Sequence, residues 1–272
     1  MFKQRVLLSL ALGVLASSSA HAGLTVDSAS YTYSQSFDTL SATGTTNSWV
    51  NDSTIAGWSL FNAFNAAETN YIADTGTSTT GSFRSFGATG STERALGDTA
   101  SGGTYYGSPV PGAVAGYIAV AFTNTTGADL SGFSLSYNGE QWRNGGNPSQ
   151  ASQSLTLQYG IGDTFDTVTN WVSPGGNFDF TSVANGPTAA AVDGNGAGLV
   201  AGLGGTQSVS WADGATLWVR WTDLNDLGND HGLAIDNVNL SVVASAVPEP
   251  QSYALLLAGL ACVGFIARRR KA

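Results

Sequence analysis

Glu140, Trp142 and Arg143 fall together in the segment Asn138-Gly139-Glu140-Gln141-Trp142-Arg143-Asn144-Gly145-Gly146. A second polar segment, Arg220 to Asn237, carries Trp221, Asp223, Asn225, Asp226, Asp230 and His231. In it Asp223, Asn225, Asp226 and Asp230 lie inside eight residues. Oxygen-only side chains at this density suit Ca²⁺, which takes about 6 to 8 oxygens from flexible loops. The spacing departs from an EF-hand loop: Gly228 stands sixth from Asp223, but no glutamate stands twelfth. The same Asp and Asn residues could instead close Asx-turns that hold a long hairpin together.

If the two segments meet at one end of the fold, Glu140, Arg143, Arg220, Asp223 and His231 form one polar cluster. Charged residues are scarce, at 11% of the chain, so the structural expectation is a buried ion pair between Glu140 and an arginine. The functional expectation is a sugar site, with Glu140 and Arg143 on hydroxyls and Trp142 or Trp221 stacked on a pyranose face. Catalysis has thinner support. Once His21 leaves with the N-terminal segment, His231 is the remaining histidine, which excludes a multi-histidine zinc site. There is no Gly-x-Ser-x-Gly elbow, and Cys262 lies in the C-terminal tail, so no nucleophilic thiol is available. A polysaccharide hydrolase would need two carboxylates at a set separation, with Glu140 plus Asp223 or Asp230 as the pair. The expected role is therefore non-catalytic, structural or glycan-interacting, with the secreted hydrolase as the alternative.

Alternation of apolar and polar residues supplies the elements that must position these groups. It is clearest over 116–123, 132–137, 153–159, 207–211, 216–222 and 233–243, and weaker over 31–37, 57–61, 82–86 and 178–181. Phe133, Leu135 and Tyr137 share one face, and Leu155, Leu157 and Tyr159 share another. Asp213-Gly214 and Asn138-Gly139 read as tight turns, and Asp193-Gly194-Asn195-Gly196 as a turn in a long loop, 185–205, inside one domain. Many short strands without a helical period predict an all-β protein, a jelly-roll-like β-sandwich. Seven Trp, nine Tyr and twelve Phe supply a core that a disordered chain would lack.

Between residues 23 and 246 four arginines face eighteen acidic residues, a net charge near −14. That surface has no footprint for nucleic acid, and it would attract divalent cations. The segment has no cysteine, so no disulfide supports it.

Both ends carry processing signals. Lys3 and Arg5, the apolar stretch Val6 to Ala16 and the site Ala20-His21-Ala22 read as a signal peptide helix over 1–22, cut by signal peptidase after Ala22. At the other end Val247-Pro248-Glu249-Pro250 precedes an apolar run, and Arg268-Arg269-Arg270-Lys271 would hold the far side in the cytoplasm. The 16 residues from Ser252 to Ala267 make about 24 Å of helix, short for a hydrocarbon core of about 30 Å. This order resembles the PEP-CTERM sorting signal. The resemblance implies an exosortase that recognises and cleaves the tail after transient inner-membrane insertion of a C-terminal transmembrane helix, and delivery to the cell surface or extracellular space. The expected organisation is signal peptide 1–22, β-sandwich 23–246 and sorting signal 247–272. Within the sandwich, Ser36-Phe37-Asp38-Thr39-Leu40, Gly57-Trp58 and the two polar segments resemble an uncharacterised domain of secreted and PEP-CTERM proteins. Ala234-Ile235-Asp236-Asn237-Val238 is similar to the closing strand of jelly-roll modules such as carbohydrate-binding and MAM domains. Extracellular polysaccharide is the partner this implies.

Overall fold

A computed structural model describes residues 23–245 together with 259, 260, 268 and 269. The signal peptide 1–22, the Val247-Pro248-Glu249-Pro250 motif and most of the apolar tail lie outside the described residues, and so do the helices expected there. Among the described residues no helix is long and apolar enough to cross a membrane.

The chain forms β1 (Leu24–Val26), β2 (Thr32–Gln35), β3 (Asn47–Ser48), β4 (Trp58–Asn62), β5 (Asn70–Asp74), β6 (Ser82–Phe86) and β7 (Ala95–Thr99). It continues through β8 (Val114–Asn124), β9 (Leu130–Asn144), β10 (Ser154–Ile161), β11 (Phe180–Thr181) and β12 (Ala190–Ala191). The last three are β13 (Leu199–Trp211), β14 (Thr216–Leu224) and β15 (Gly232–Ala244). All ten strands read from alternation are present. β1, β3, β5, β7 and β12 are additional; of these, Ala-Leu-Gly-Asp-Thr of β7 and Asn-Tyr-Ile-Ala-Asp of β5 show no clean period of two.

Two sheets result. The first runs β1-β8-β14-β10-β11, with β4 also on β8. The second runs β12-β9-β15-β7-β6-β5-β3, with β13 on β9 and β2 on β15. They pack face to face as a sandwich around one core, into which the first sheet sends Ile118, Val120, Leu217, Val219 and Trp221 and the second sends Phe133, Leu135, Tyr137, Leu233 and Ile235. Trp221 stacks on Trp58 with centroids 5.9 Å apart, and Tyr137 meets Trp221 edge-on at 5.3 Å. Trp58 stays satisfied in the interior because its indole N–H donates to the Tyr33 hydroxyl at 2.7 Å.

The Asp213-Gly214 turn forms between β13 and β14, with Gly214 at φ 81°. Asn138-Gly139 does not turn. It lies inside β9, which hydrogen-bonds to β13 on one edge and β15 on the other. Two ladders outweigh a local turn preference, and the missing side chain at Gly139 makes room for the Phe180 ring. The expected loop 185–205 is shortened for the same reason, since β13 begins at Leu199 along the β9 edge.

Replacing Trp221 by alanine is expected to cost about 3–5 kcal/mol, the range for losing a large core ring. Urea unfolding followed by far-UV circular dichroism checks this, and a loss below about 1 kcal/mol would show that the ring is not part of the shared core.

Candidate functional site

The parity of each strand decides where its polar residues go. On β14 Leu217, Val219 and Trp221 point into the core, so Asp223, next on that side, is carried inward at the end of the sandwich. On β7 Leu96 is followed in the same way by Asp98. The two carboxyls meet there, and the Tyr106 hydroxyl donates to Asp98 Oδ2 at 3.3 Å. Burial pushes Asp98 up to about 7, and burial together with the Asp98 charge holds Asp223 well above the usual carboxylate range. Asp98 Oδ1 has no hydrogen-bond partner, so a proton kept by Asp223 is what this pair needs.

The two polar segments meet near this end. The Gly145 N–H donates to His231 Nδ1 at 2.8 Å. Arg143, Gly145, Asn225, Asn229 and Asp230, with Thr79 and Ser101, line a cavity of about 330 Å³. Several of these groups are already engaged. Arg143 donates to the carbonyls of Gly76 at 3.0 Å and Thr77 at 3.3 Å, and Asn225 Nδ2 donates to the Pro109 carbonyl at 2.8 Å. His231 is buried, and burial lowers its affinity for a proton.

The expected calcium loop does not assemble. Asp223 faces Asp98, Asn225 is bound to Pro109, and Asp230 Oδ1 accepts the Asp226 N–H at 2.7 Å. Asp223, Asp226 and Asp230 are not among the trios of acidic, His or Cys side chains that could share one ion among the described residues. Asp230 instead closes the loop onto the backbone N–H four residues before it, a bond that is not an Asx-turn.

The expected Glu140–arginine pair is also absent. Arg220 sends Nε to Gln158 Oε1 at 2.8 Å and spreads its guanidinium 3.8 Å from the Trp171 ring centroid and 4.3 Å from that of Tyr117. Burial lowers its pKa to about 10. The ion pair among the described residues is Arg84 with Asp74, at 2.5 Å. Neither indole offered for sugar stacking is accessible: Trp142 is 2% exposed and Trp221 0%. Trp142 stacks on Phe86 instead, 6.0 Å between centroids and 3° between planes, and donates its N–H to Glu140 Oε2 at 2.8 Å.

Glu140 faces away from the groove, on the outer side of the second sheet. Register places it opposite Ala234, so Asp236 of β15 is its diagonal neighbour on the same face. Glu93 arrives from the turn before β7, the strand on the other edge of β15. One oxygen from each of Glu93, Glu140 and Asp236 lies within 4.8 Å of the others. Glu140 is 1% exposed and Asp236 2%. Burial, reinforced by neighbouring carboxylates, lifts Glu140 to about 8 and Asp236 to about 7. Sequence reasoning singled out Glu140 without these partners. The available signal was an aspartate inside the apolar closing strand, at a position whose parity turns it away from the core.

The C-terminal residues 246–271 match the PEP-CTERM protein-sorting motif. The chain therefore carries an exosortase sorting signal, which implies export to the cell surface or extracellular space. No curated protein matches it in sequence. Among solved structures it is similar to the CBM22-1 xylan-binding domain of Xyn10C from Paenibacillus barcinonensis, at 12% identity over 81% of this chain and 100% of that one, TM-score 0.38. It is similar also to the K1 cleaved adhesin domain of Lys-gingipain from Porphyromonas gingivalis W83, at 16% identity over 79% and 99% of the two chains, TM-score 0.35. An isomalto-dextranase from Arthrobacter globiformis T6 matches at 10% identity over 80% of this chain and 33% of its own, TM-score 0.30.

Carboxyls raised by burial bind more protons in the folded chain than in the unfolded one, so stability must fall as pH rises from their ordinary values towards the folded ones. For Asp98 that window runs from 3.8 to about 7, and for Glu140 from 4.5 to about 8. In the presence of a chelator the melting midpoint is expected to drop across this range. Asp98→Asn should flatten the profile and stabilise the protein at its alkaline end by on the order of 2 kcal/mol. A midpoint that rises with pH, or an Asp98→Asn variant that melts lower at the alkaline end, would contradict the assignment.

Proposed function

We propose that this chain is an exported, non-catalytic β-sandwich that works at the cell surface or among extracellular polysaccharide, as a structural or glycan-interacting component. The observation that carries the reading is the sorting motif at 246–271 appended to a sandwich with an open polar groove at one end. Signal peptidase would release the N-terminal segment after Ala22. Exosortase would act at Val247-Pro248-Glu249-Pro250 after transient insertion of the tail, with Arg268, Arg269, Arg270 and Lys271 kept on the cytoplasmic side. Residues 23–246 would then be the functional unit, one domain with jelly-roll topology.

The groove has the chemistry of hydroxyl recognition. Ser101, Thr79, Asn229 and Arg143 offer donors, and Asp230 offers an acceptor. No aromatic face lines it, so the expected contact with sugars is through hydrogen bonds, with modest affinity per site. The hydrolase alternative is disfavoured on geometry. It needs two carboxylates facing one cleft, whereas Asp230 is the carboxylate of this lining, Asp223 is turned towards Asp98, and Glu140 lies on the outer face of the second sheet.

Two measurements check the reading. Intact mass spectrometry of protein recovered from the cell surface or medium is expected to give a C-terminus between Val247 and Pro250. Retention of Arg268 to Lys271 would make the tail a permanent anchor and remove the matrix role. Electrophoresis through gels containing the polysaccharide of the producing cells is expected to retard the wild type and to retard Asp230→Ala less. Equal mobility with and without polysaccharide would leave the structural role and remove the glycan one.

A further inference from the structure

We propose that Glu93, Glu140 and Asp236 form a calcium site on the outer face of the second sheet, independent of the polar groove. Their juxtaposition comes from three distant parts of the chain, the turn before β7, the middle of β9 and the closing strand β15. Calcium–oxygen distances of about 2.3–2.6 Å place two oxygens on opposite sides of one ion about 4.8 Å apart. The three carboxylates meet that limit pairwise.

A second observation points to a ligand. Asp236 is 98% buried, and its Oδ1 has no hydrogen-bond partner. Glu93 Oε1 is likewise buried and unpartnered. Three further oxygens accept from donors: Glu140 Oε2 from Trp142 Nε1 at 2.8 Å, Asp236 Oδ2 from Asn237 Nδ2 at 2.7 Å and Glu93 Oε2 from Asn195 Nδ2 at 2.5 Å. Asp236 and Glu93 thus each have one oxygen held by a donor and one without a hydrogen-bond partner.

Charge supports the same conclusion. A buried carboxylate needs a proton, a cation or several donors, and the ion pair among the described residues, Arg84 with Asp74, involves none of these three. Arg94, the nearest in sequence to Glu93, is attracted by the Glu93 charge but directs its hydrogen bonds to Ser85 and the Asp74 carbonyl. Asp193 and Asp38 add further negative potential around Glu140 and Asp236, respectively. The ligand set is all oxygen, which suits calcium or magnesium better than zinc, whose sites favour nitrogen and sulfur. Magnesium would demand near-octahedral geometry and several retained waters, whereas calcium accepts an irregular cage of carboxylates. Through Asn195 the ion would also fix the turn at 193–196, so binding would tie this loop to the sheet after export.

The test uses the exported protein recovered from its producing cells, stripped with EGTA and titrated with calcium chloride alone. Expected are one calorimetric site per chain and a melting midpoint that rises with calcium concentration. In Glu140→Gln and Asp236→Asn the shift should be lost, and in Asp230→Asn it should persist. No heat and no shift in the wild type would overturn the proposal, as would a shift that survives in Asp236→Asn and Glu140→Gln or vanishes only in Asp230→Asn. Terbium luminescence excited through tryptophan decides the matter without relying on folding of the charge variants. Terbium at this site would lie beside Trp142, so calcium-displaceable emission should be strong in the wild type and lost in Trp142→Phe. Undiminished emission in that variant would place the ion elsewhere.

Discussion

A carboxylate taken out of water must keep a proton, gain a cation or collect donors, and this sandwich buries more carboxylates than its arginines can serve. The arginines of the folded region have other commitments. Arg84 pairs with Asp74, Arg94 and Arg143 bind carbonyls, and Arg220 lies over aromatic rings. What remains are two kinds of unpaired acidic cluster. Asp98 and Asp223 face each other at the end of the core, with the Tyr106 hydroxyl donating to Asp98 and the Leu224 N–H donating to Asp223. Glu93, Glu140 and Asp236 converge on the outer face with oxygens left open.

Both clusters follow from how the core is built. Trp58, Trp221 and Tyr137 pack across the two sheets and fix the inward parity of β4, β14 and β9. Once that parity is set, Asp223 must point inward and Glu140 outward, whatever the local cost. With no disulfide in residues 23–246, this packing is the scaffold that holds acidic groups in places they would not choose. A metal on the outer face would recover part of that cost by joining β9, β15 and the turn before β7.

The fold was largely legible because large apolar residues that enter the core recur mostly at every second position of β8, β10, β14 and β15. It failed where pairing on both edges overrode local chemistry. Asn138-Gly139 has the composition of a turn, yet it runs straight through β9 between two neighbours. β7 escaped notice because one large apolar residue, Leu96, carries its inward face. The site was less legible. Glu140 and Arg143 stand out by type, and their proximity suggested a pair, but a strand sends the odd and even residues to opposite faces. Arg143 accordingly faces the groove and Glu140 the outer surface. Their true neighbours come from distant segments, and register alone decides them.

Carboxyl-carbon NMR of the protein labelled at aspartate and glutamate tests the central claim most directly, because it reads each buried acid in place. In chelator, Asp98, Glu140 and Asp236 should titrate near 7, 8 and 7, and Asp223 well above the usual carboxylate range. On adding calcium, Glu140 and Asp236 should lose their titration in that range, while Asp98 and Asp223 keep theirs. Ordinary titration of all four near pH 4, or no response of Glu140 and Asp236 to calcium, would contradict it.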